Sequence, residues 1–339
     1  MDGKEKPAGD LRSLHDFAKL AGVSASTVSR ALSDNPLTAL KTRRRIQALA
    51  RKVGFSVNPA ASMLRTRLTH TIGLILPMGR STSQALSDPF CTAMLGLIAD
   101  NVSSRKYDLL VKRVDPTGDD WLRPIIESRR IDGLIIFGQA DQDEVLNAHA
   151  DNYLPLVVWG QWRPGQKYLT VGIDNVSGGR LAGEHLIERG RTRLVFIGNI
   201  ILPEFGARYQ GFLSALPPGL APLTTEAPKD HTFDDSYAIA RSILHDYPDL
   251  DGVFAGSDVI ASAFTKAAHD CGMTVPGDVA IVGFDDIAQA ERNNPPLTTV
   301  RQDQVSGASN LCDQLFLRIS GNATTSVMLP PELIVRAST

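Results

Sequence analysis

The stretch Ser13-Leu-His-Asp-Phe-Ala-Lys-Leu-Ala-Gly-Val-Ser-Ala-Ser-Thr-Val-Ser-Arg-Ala-Leu32 reads as two short helices joined by a tight turn. Ser13 can cap the first helix, with Asp16 three residues on, near the positive end of the helix dipole. Phe17, Leu20 and Ala21 follow the i, i+3, i+4 spacing of one buried face. Gly22 stands where a glycine stops a helix, and Ser24 can cap the next. Val28, Ala31 and Leu32 repeat the helical spacing, which leaves Ser26, Thr27, Ser29 and Arg30 facing outward. Such a pair is either an ordinary helical hairpin or a helix-turn-helix whose second helix enters a DNA major groove.

Charge placement favours the second reading. The chain of 339 residues carries a formal net charge of -2, yet Arg12, Lys19, Arg30, Lys41, Arg43, Arg44, Arg45, Arg51, Lys52, Arg65 and Arg67 crowd one end. The acids in that segment are Asp16 and Asp34. A basic head on an acidic body is the electrostatic footprint of phosphate binding. A third helix is expected from near Thr38 to Val53, with Ile46, Leu49 and Val53 inward and Gly54 as its stop. The run Arg43-Arg44-Arg45 in its first half is unfavourable for the positive end of a dipole unless phosphates lie nearby. Asn58 as a cap and Pro59 at the first helical position then start a helix of about two turns, too short to be stable in water without a partner. Leu64 on that helix could wedge between base steps in the minor groove.

From Thr71 the texture changes to alternating strands and helices. Strands are expected at 72–76, 108–111, 133–137, 156–159, 170–173, 194–198, 252–255 and 279–283, with helices between them at 90–104, 176–189, 208–216, 234–245 and 258–271. This alternation implies parallel sheets covered on both faces, and the number of elements suits two Rossmann-like lobes. Ligands in such folds bind beyond the carboxyl ends of the strands. The composition, 43% hydrophobic and 21% charged, is globular. Cys91, Cys271 and Cys312 are scattered and lack metal spacing, which suits a reducing compartment. The polar first residues carry no apolar signal core, and no apolar run reaches membrane-spanning length, so a cytoplasmic protein is expected.

Several motifs, in order, resemble the LacI/GalR family of bacterial transcription regulators. They are 16–24 with Thr27-Val28-Ser29-Arg30, Asn58-Pro59-Ala60-Ala61, Thr71-Ile72-Gly73-Leu74, Gly179-Arg180-Leu181-Ala182, Arg208-Tyr209-Gln210-Gly211-Phe212 and Val282-Gly283-Phe284-Asp285-Asp286. The resemblance covers roughly residues 13 to 337. It implies a helix-turn-helix head (13–57) after a disordered lead-in (1–12), a hinge helix and linker (58–69), and a two-lobed body like a periplasmic binding protein (70–339). It places the first lobe at about 70–161 and 302–325, the second at about 162–301 and 326–339, with crossings near Gln161, Gln302 and Thr325.

The same resemblance implies a homodimer on double-stranded palindromic operator DNA, with the nucleoid as its location. It assigns base reading to Ala25, Ser26 and Arg30, phosphate contacts to Thr27 and Ser29, and minor-groove roles to Asn58, Ala61 and Leu64. It implies a small sugar-like effector held by Asp88, Phe90, Trp159, Trp162, Arg208, Phe233, Ser257 and Asp285. The fork of Arg208 would suit a vicinal diol or a carboxylate. No cofactor, metal site or catalytic residue is expected. The sequence has no glycine-rich nucleotide loop, Walker lysine, nucleophile elbow or H-E-x-x-H, so an enzyme built on the same cleft is the weaker alternative, as is a secreted solute-binding protein. The carboxyl-terminal residues 329–339 add no leucine heptad, so the expected assembly stops at a dimer.

Overall fold

The structure is a computed structural model that describes residues 13–32, 34–55, 68–77, 87–116, 120–224 and 232–339. The chain divides between Thr69 and His70 into two compact units.

The first unit contains α1 (Leu14–Ala21), α2 (Ala25–Leu32) and α3 (Leu40–Val53). The Ser13 hydroxyl accepts from the Asp16 amide at 3.1 Å and donates to its carboxylate at 2.6 Å. Gly22 ends α1 at φ 66°, a left-handed turn that a β-carbon disfavours. The Ser24 hydroxyl accepts from the Thr27 amide and so opens α2. Phe17, Ala18, Ala21, Val28, Ala31, Ile46 and Ala50 form the core, and Phe55 stacks on Phe17 with ring centroids 4.3 Å apart.

Four expectations for this unit need correction. Leu20 is 52% exposed, and Ala18 takes its place in the core. Ser29, expected outward, is 7% exposed. Of the arginine run, Arg45 donates to the Ala21 carbonyl at 3.0 Å and Arg43 to the Asp34 carbonyl at 2.9 Å, while Gln47 donates to the Ala31 carbonyl. Arg45 and Gln47 of α3 thus satisfy open carbonyls at the ends of α1 and α2, where the dipole is negative, and Arg43 holds the turn that follows α2. The helix itself begins at Leu40, two residues later than expected, with no side-chain cap from Ala39.

The second unit holds two six-stranded sheets. The first comprises β1 (Thr71–Pro77), β2 (Asp108–Val114), β3 (Gly133–Phe137), β4 (Leu156–Trp159), β5 (Leu169–Ile173) and β11 (Val327–Leu329), in the order β11-β5-β4-β3-β1-β2. The second comprises β6 (Leu194–Ile197), β7 (Leu223–Thr224), β8 (Gly252–Ala255), β9 (Ala280–Asp285), β10 (Thr298–Arg301) and β12 (Glu332–Ile334), in the order β12-β10-β9-β8-β6-β7. The pairs are parallel except β10 with β12. Helices α4 (Pro89–Ser104), α5 (Arg123–Glu127), α6 (Asp143–Ala150) and α11 (Gln304–Ile319) go with the first sheet in sequence or contact; α7 (Asn175–Glu188), α8 (Pro203–Ser214), α9 (Phe233–Asp246) and α10 (Asp258–Asp270) lie within the second. The inner strands are buried from end to end, such as Gly133–Phe137 and Ala280–Asp285, as expected where helices cover both faces.

This topology moves two of the expected crossings. Strand β5 belongs to the first sheet, so the chain passes to the second lobe at Asp174, not near Gln161. Strand β11 also belongs to the first sheet, so the last crossing falls at Pro330-Pro331, not near Thr325. The Asp174 amide donates to the Leu329 carbonyl at 2.9 Å and ties these two crossings together. The remaining crossing follows β10 at Gln302.

Candidate functional site

In the head, the face of α2 left outside the core carries Ser26 and Arg30, both exposed, beside half-buried Ala25 and Thr27. The Ser24 hydroxyl lies 2.9 Å from the Ser26 hydroxyl and 2.8 Å from that of Thr27. One capping side chain therefore both starts the helix and orients two hydroxyls on its first turn. Arg30, at the far end, is the long cationic side chain on this face. Asn58, Ala61 and Leu64 lie outside the described residues.

In the body, strand order reverses between β1 and β3 in one sheet and between β6 and β8 in the other. Chains leave such a switch point in opposite directions and open a crevice there. A single cleft is lined from both lobes, by Pro77, Asp88, Phe90, Gly138 and Trp159 of the first and Asn175, Glu204, Phe205, Arg208, Ser257 and Asp285 of the second, with Gln302 at a crossing. Phe90, Phe137 and Trp159 form an aromatic wall, with centroids 6.1 to 6.4 Å apart.

Arg208 is the centre of the opposite wall. It is 5% exposed, and its guanidinium lies 3.7 Å above the Phe284 ring and 5.0 Å from that of Phe205. Its Nε donates to Asn175 Oδ1 at 2.9 Å and its Nη1 donates to the Gly256 carbonyl. Asp285 Oδ1 stands 3.9 Å from Nη1, close enough for charge attraction without a direct hydrogen bond, and accepts from Gln302 Nε2 at 2.6 Å. The first residues beyond the first two crossings, Asn175 and Gln302, thus each hold one member of the Arg208–Asp285 pair.

Burial dominates the electrostatics. It pushes the Asp285 carboxyl up to about 7; Arg208 opposes the rise, Asp88 adds to it and Gln302 opposes it. Burial likewise lowers the Arg208 pKa, against the pull of Asp285, Glu204 and Asp258. Asp258, behind the pair, is raised by burial and by Asp285, although Thr299 Oγ1 and the Ile287 amide donate to it. Asp285 adopts φ 119°, a strained left-handed backbone for a residue with a β-carbon. Among the described residues no His/Cys/Asp/Glu group is arranged for a metal ion.

Residues 13–58 match the family description "Bacterial regulatory proteins, lacI family", and residues 184–339 match a periplasmic binding protein-like domain. The HTH-type transcriptional regulator CelR of Thermobifida fusca is 32% identical over 100% of both chains. The chain belongs to the lacI family of bacterial regulatory proteins. It is a transcriptional regulator of that family with a helix-turn-helix head. A solved CelR–cellobiose complex is 27% identical, covers 96% of this chain and 99% of that one, and superposes with a TM-score of 0.67. The Lac repressor dimer bound to operator and the anti-inducer ONPF superposes with a TM-score of 0.82 over 98% and 99% of the two chains, at 22% identity, a likeness of fold.

Within this lacI-family cleft the structure brings together Asp88, Phe90, Trp159, Arg208, Ser257 and Asp285. It leaves out Trp162, which is 50% exposed, and Phe233, which is 40% exposed at the start of α9; neither lines the cleft. Two of the acceptors have structural work as well. Asp88 caps α4 by accepting from the Cys91 amide at 3.0 Å, and Ser257 caps α10 by accepting from the Ile260 amide. The Arg208 fork is also less open than expected, since Nε and Nη1 already bind protein oxygens.

Asn175, Glu204, Phe205 and Gln302 were missed by sequence reasoning. Asn175 follows the strand Leu169–Ile173, but with the crossing set near Gln161 it was not read as a cleft position. Glu204 lies one turn before Arg208 on α8, a helix expected to start only at Arg208. Pro203 at its first position was the available signal.

Proposed function

We propose that this lacI-family regulator is a repressor of carbohydrate-utilisation genes that binds a palindromic operator as a homodimer and is switched by a sugar-like effector in the interlobe cleft. The observation that carries the effector reading is the buried Arg208–Asp285 pair, offering a donor and an acceptor 3.9 Å apart opposite the Phe90–Phe137–Trp159 wall. Polar groups that fix a hydroxyl pattern, facing aromatic surface for the apolar face of a ring, suit a sugar. Cellobiose in the CelR complex supports the same class.

The operator reading rests on α2, where Ala25 and Ser26 offer a methyl and a hydroxyl to base edges, Arg30 a bidentate contact to guanine and Thr27 a hydroxyl to phosphate, while buried Ser29 belongs to the packing of the head. Asn58, Ala61 and Leu64 would extend the contact into the minor groove. A second copy is expected because one head reads one half-site. Edge strand β2 exposes Leu110 and Val111, 45% and 38%, as apolar surface for that copy. The effector acts by changing operator affinity, a coupling between two sites with two body states. A DNA-binding regulator of this kind works in the cytoplasm, at the nucleoid.

A gel shift on a palindromic fragment, with and without sugars and over a salt series, tests the proposal. Specific binding that weakens steeply with salt and responds to a sugar is the expected result. R208A should retain operator binding and lose the sugar response. Loss of operator binding in R208A would remove that residue from the effector role.

A further inference from the structure

Among the described residues, three carboxylates line the cleft, Asp88, Glu204 and Asp285, against two arginines, Arg113 and Arg208. Arg113 is exposed, where water screens its charge. Arg208 is buried, and two of its five N–H groups are already bonded to protein, that of Nε to Asn175 and one on Nη1 to Gly256. A hydroxyl is satisfied by one of the remaining N–H groups, whereas the two-point grip on a carboxylate or phosphate through Nε is already taken by Asn175. The acceptor side is in surplus. Glu204 Oε1 is sealed from solvent and has no hydrogen-bond partner. An orphaned buried carboxylate oxygen is costly, and the cost is relieved by a donor.

We infer that the cleft selects a neutral, hydroxyl-rich sugar against sugar acids and sugar phosphates, with Glu204 as the residue that sets the choice. The inference rests on the sugar-effector reading of this cleft. Glu204 lies in the first turn of α8, one turn before Arg208, so both project from the same helix face. A ring hydroxyl placed between them accepts from Arg208 and donates to Glu204, which a hydroxyl can do and a carboxylate or phosphate oxygen without a proton cannot. An anion in that place is tolerated only with Glu204 protonated, because two unpaired like charges repel in a buried setting, whereas a neutral hydroxyl suits either state. Burial raises the Glu204 pKa, partly offset by nearby backbone amides and by Arg208 and Arg163.

The test titrates matched pairs against the full chain: glucose with glucose 6-phosphate and glucuronate, and cellobiose with cellobionate. Melting temperature is followed first, then calorimetry for each sugar that raises it. A neutral member should bind at least about tenfold more tightly than its anionic counterparts, and E204Q should shrink that ratio severalfold. An anionic member binding as tightly as its neutral partner overturns the inference while leaving a sugar effector standing. Binding by no member of any pair overturns the sugar reading itself and the inference with it. Should E204Q not fold, the wild-type pairs alone decide.

Discussion

The carbonyl oxygen of Arg208 lies 1.9 Å from where a β-carbon on Gly179 would stand. Gly211 has the same relation to the Val176 carbonyl, also at 1.9 Å. Helices α7 and α8 therefore touch backbone to backbone, and this contact sets the depth of Arg208 in the cleft. G179A forces the helices apart. Overpacking of this kind costs about 1–3 kcal/mol, so denaturant unfolding should show that loss. Effector affinity should fall with it, because the guanidinium moves relative to Asn175. A G179A chain of unchanged stability and unchanged affinity would contradict the role given to this contact.

Gln302 reaches from a crossing to Asp285. Q302L keeps the bulk and removes the donor, leaving Asp285 Oδ1 without its 2.6 Å bond. The expected cost is about 1–3 kcal/mol in stability. The operator response to effector should weaken more than effector binding does, since the link to the crossing is what has been cut. Calorimetry for binding and a gel shift for response separate the two, and equal losses in both would make Gln302 a ligand contact alone.

Asp285 predicts a pH dependence with a definite sign. Its folded pKa, about 7, is above the ordinary carboxylate value of 3.8. Between these values the folded chain holds a proton that the unfolded chain has lost. The contribution of this group is therefore fully present below the unfolded value and disappears as pH rises through about 7. D285N removes that slope. Melting curves should show the variant gaining on the wild type as pH rises from about 5 to about 8. A difference that stays constant over the range would remove Asp285 as the titrating group.

Two head arginines should behave differently. Arg30 faces outward on α2 and is assigned to a base edge, so R30A should cost about 1–3 kcal/mol on the correct operator and relax its specificity. Arg45 donates to the Ala21 carbonyl, so R45A should lower head stability by about 1 kcal/mol and leave base preference unchanged. Binding to a randomised operator library reads the first effect, and melting reads the second.

The reading of the sequence succeeded where periodicity was strong. The Ser13 cap, the Gly22 stop and the buried strands at 133–137, 156–159 and 252–255 all stand as expected. It failed where tertiary packing overrode spacing, as at Leu20 and Ser29, whose exposures reverse the helical pattern. Strands β11 and β12 are three residues each and flank Pro330-Pro331, too short for any alternation to register. In the cleft, Arg208 and Asp285 were legible because they sit in recognisable motifs. Asn175 and Glu204 were not, because each depends on where a crossing or a helix begins. The orphaned oxygen of Glu204 is a property of packing, which no spacing rule reports.

The late crossing at Pro330-Pro331 also bears on how the body is made. The first sheet takes in residues 327–329 and the second takes in 332–334. Ser338, fully buried, accepts at Oγ from the Thr298 amide and at its carbonyl from the Ile281 amide. Neither sheet has its full set of strands without residues 327–334, so each lobe depends on a segment far along the chain from the strands it pairs with. The core of the head, by contrast, lies within residues 17–55.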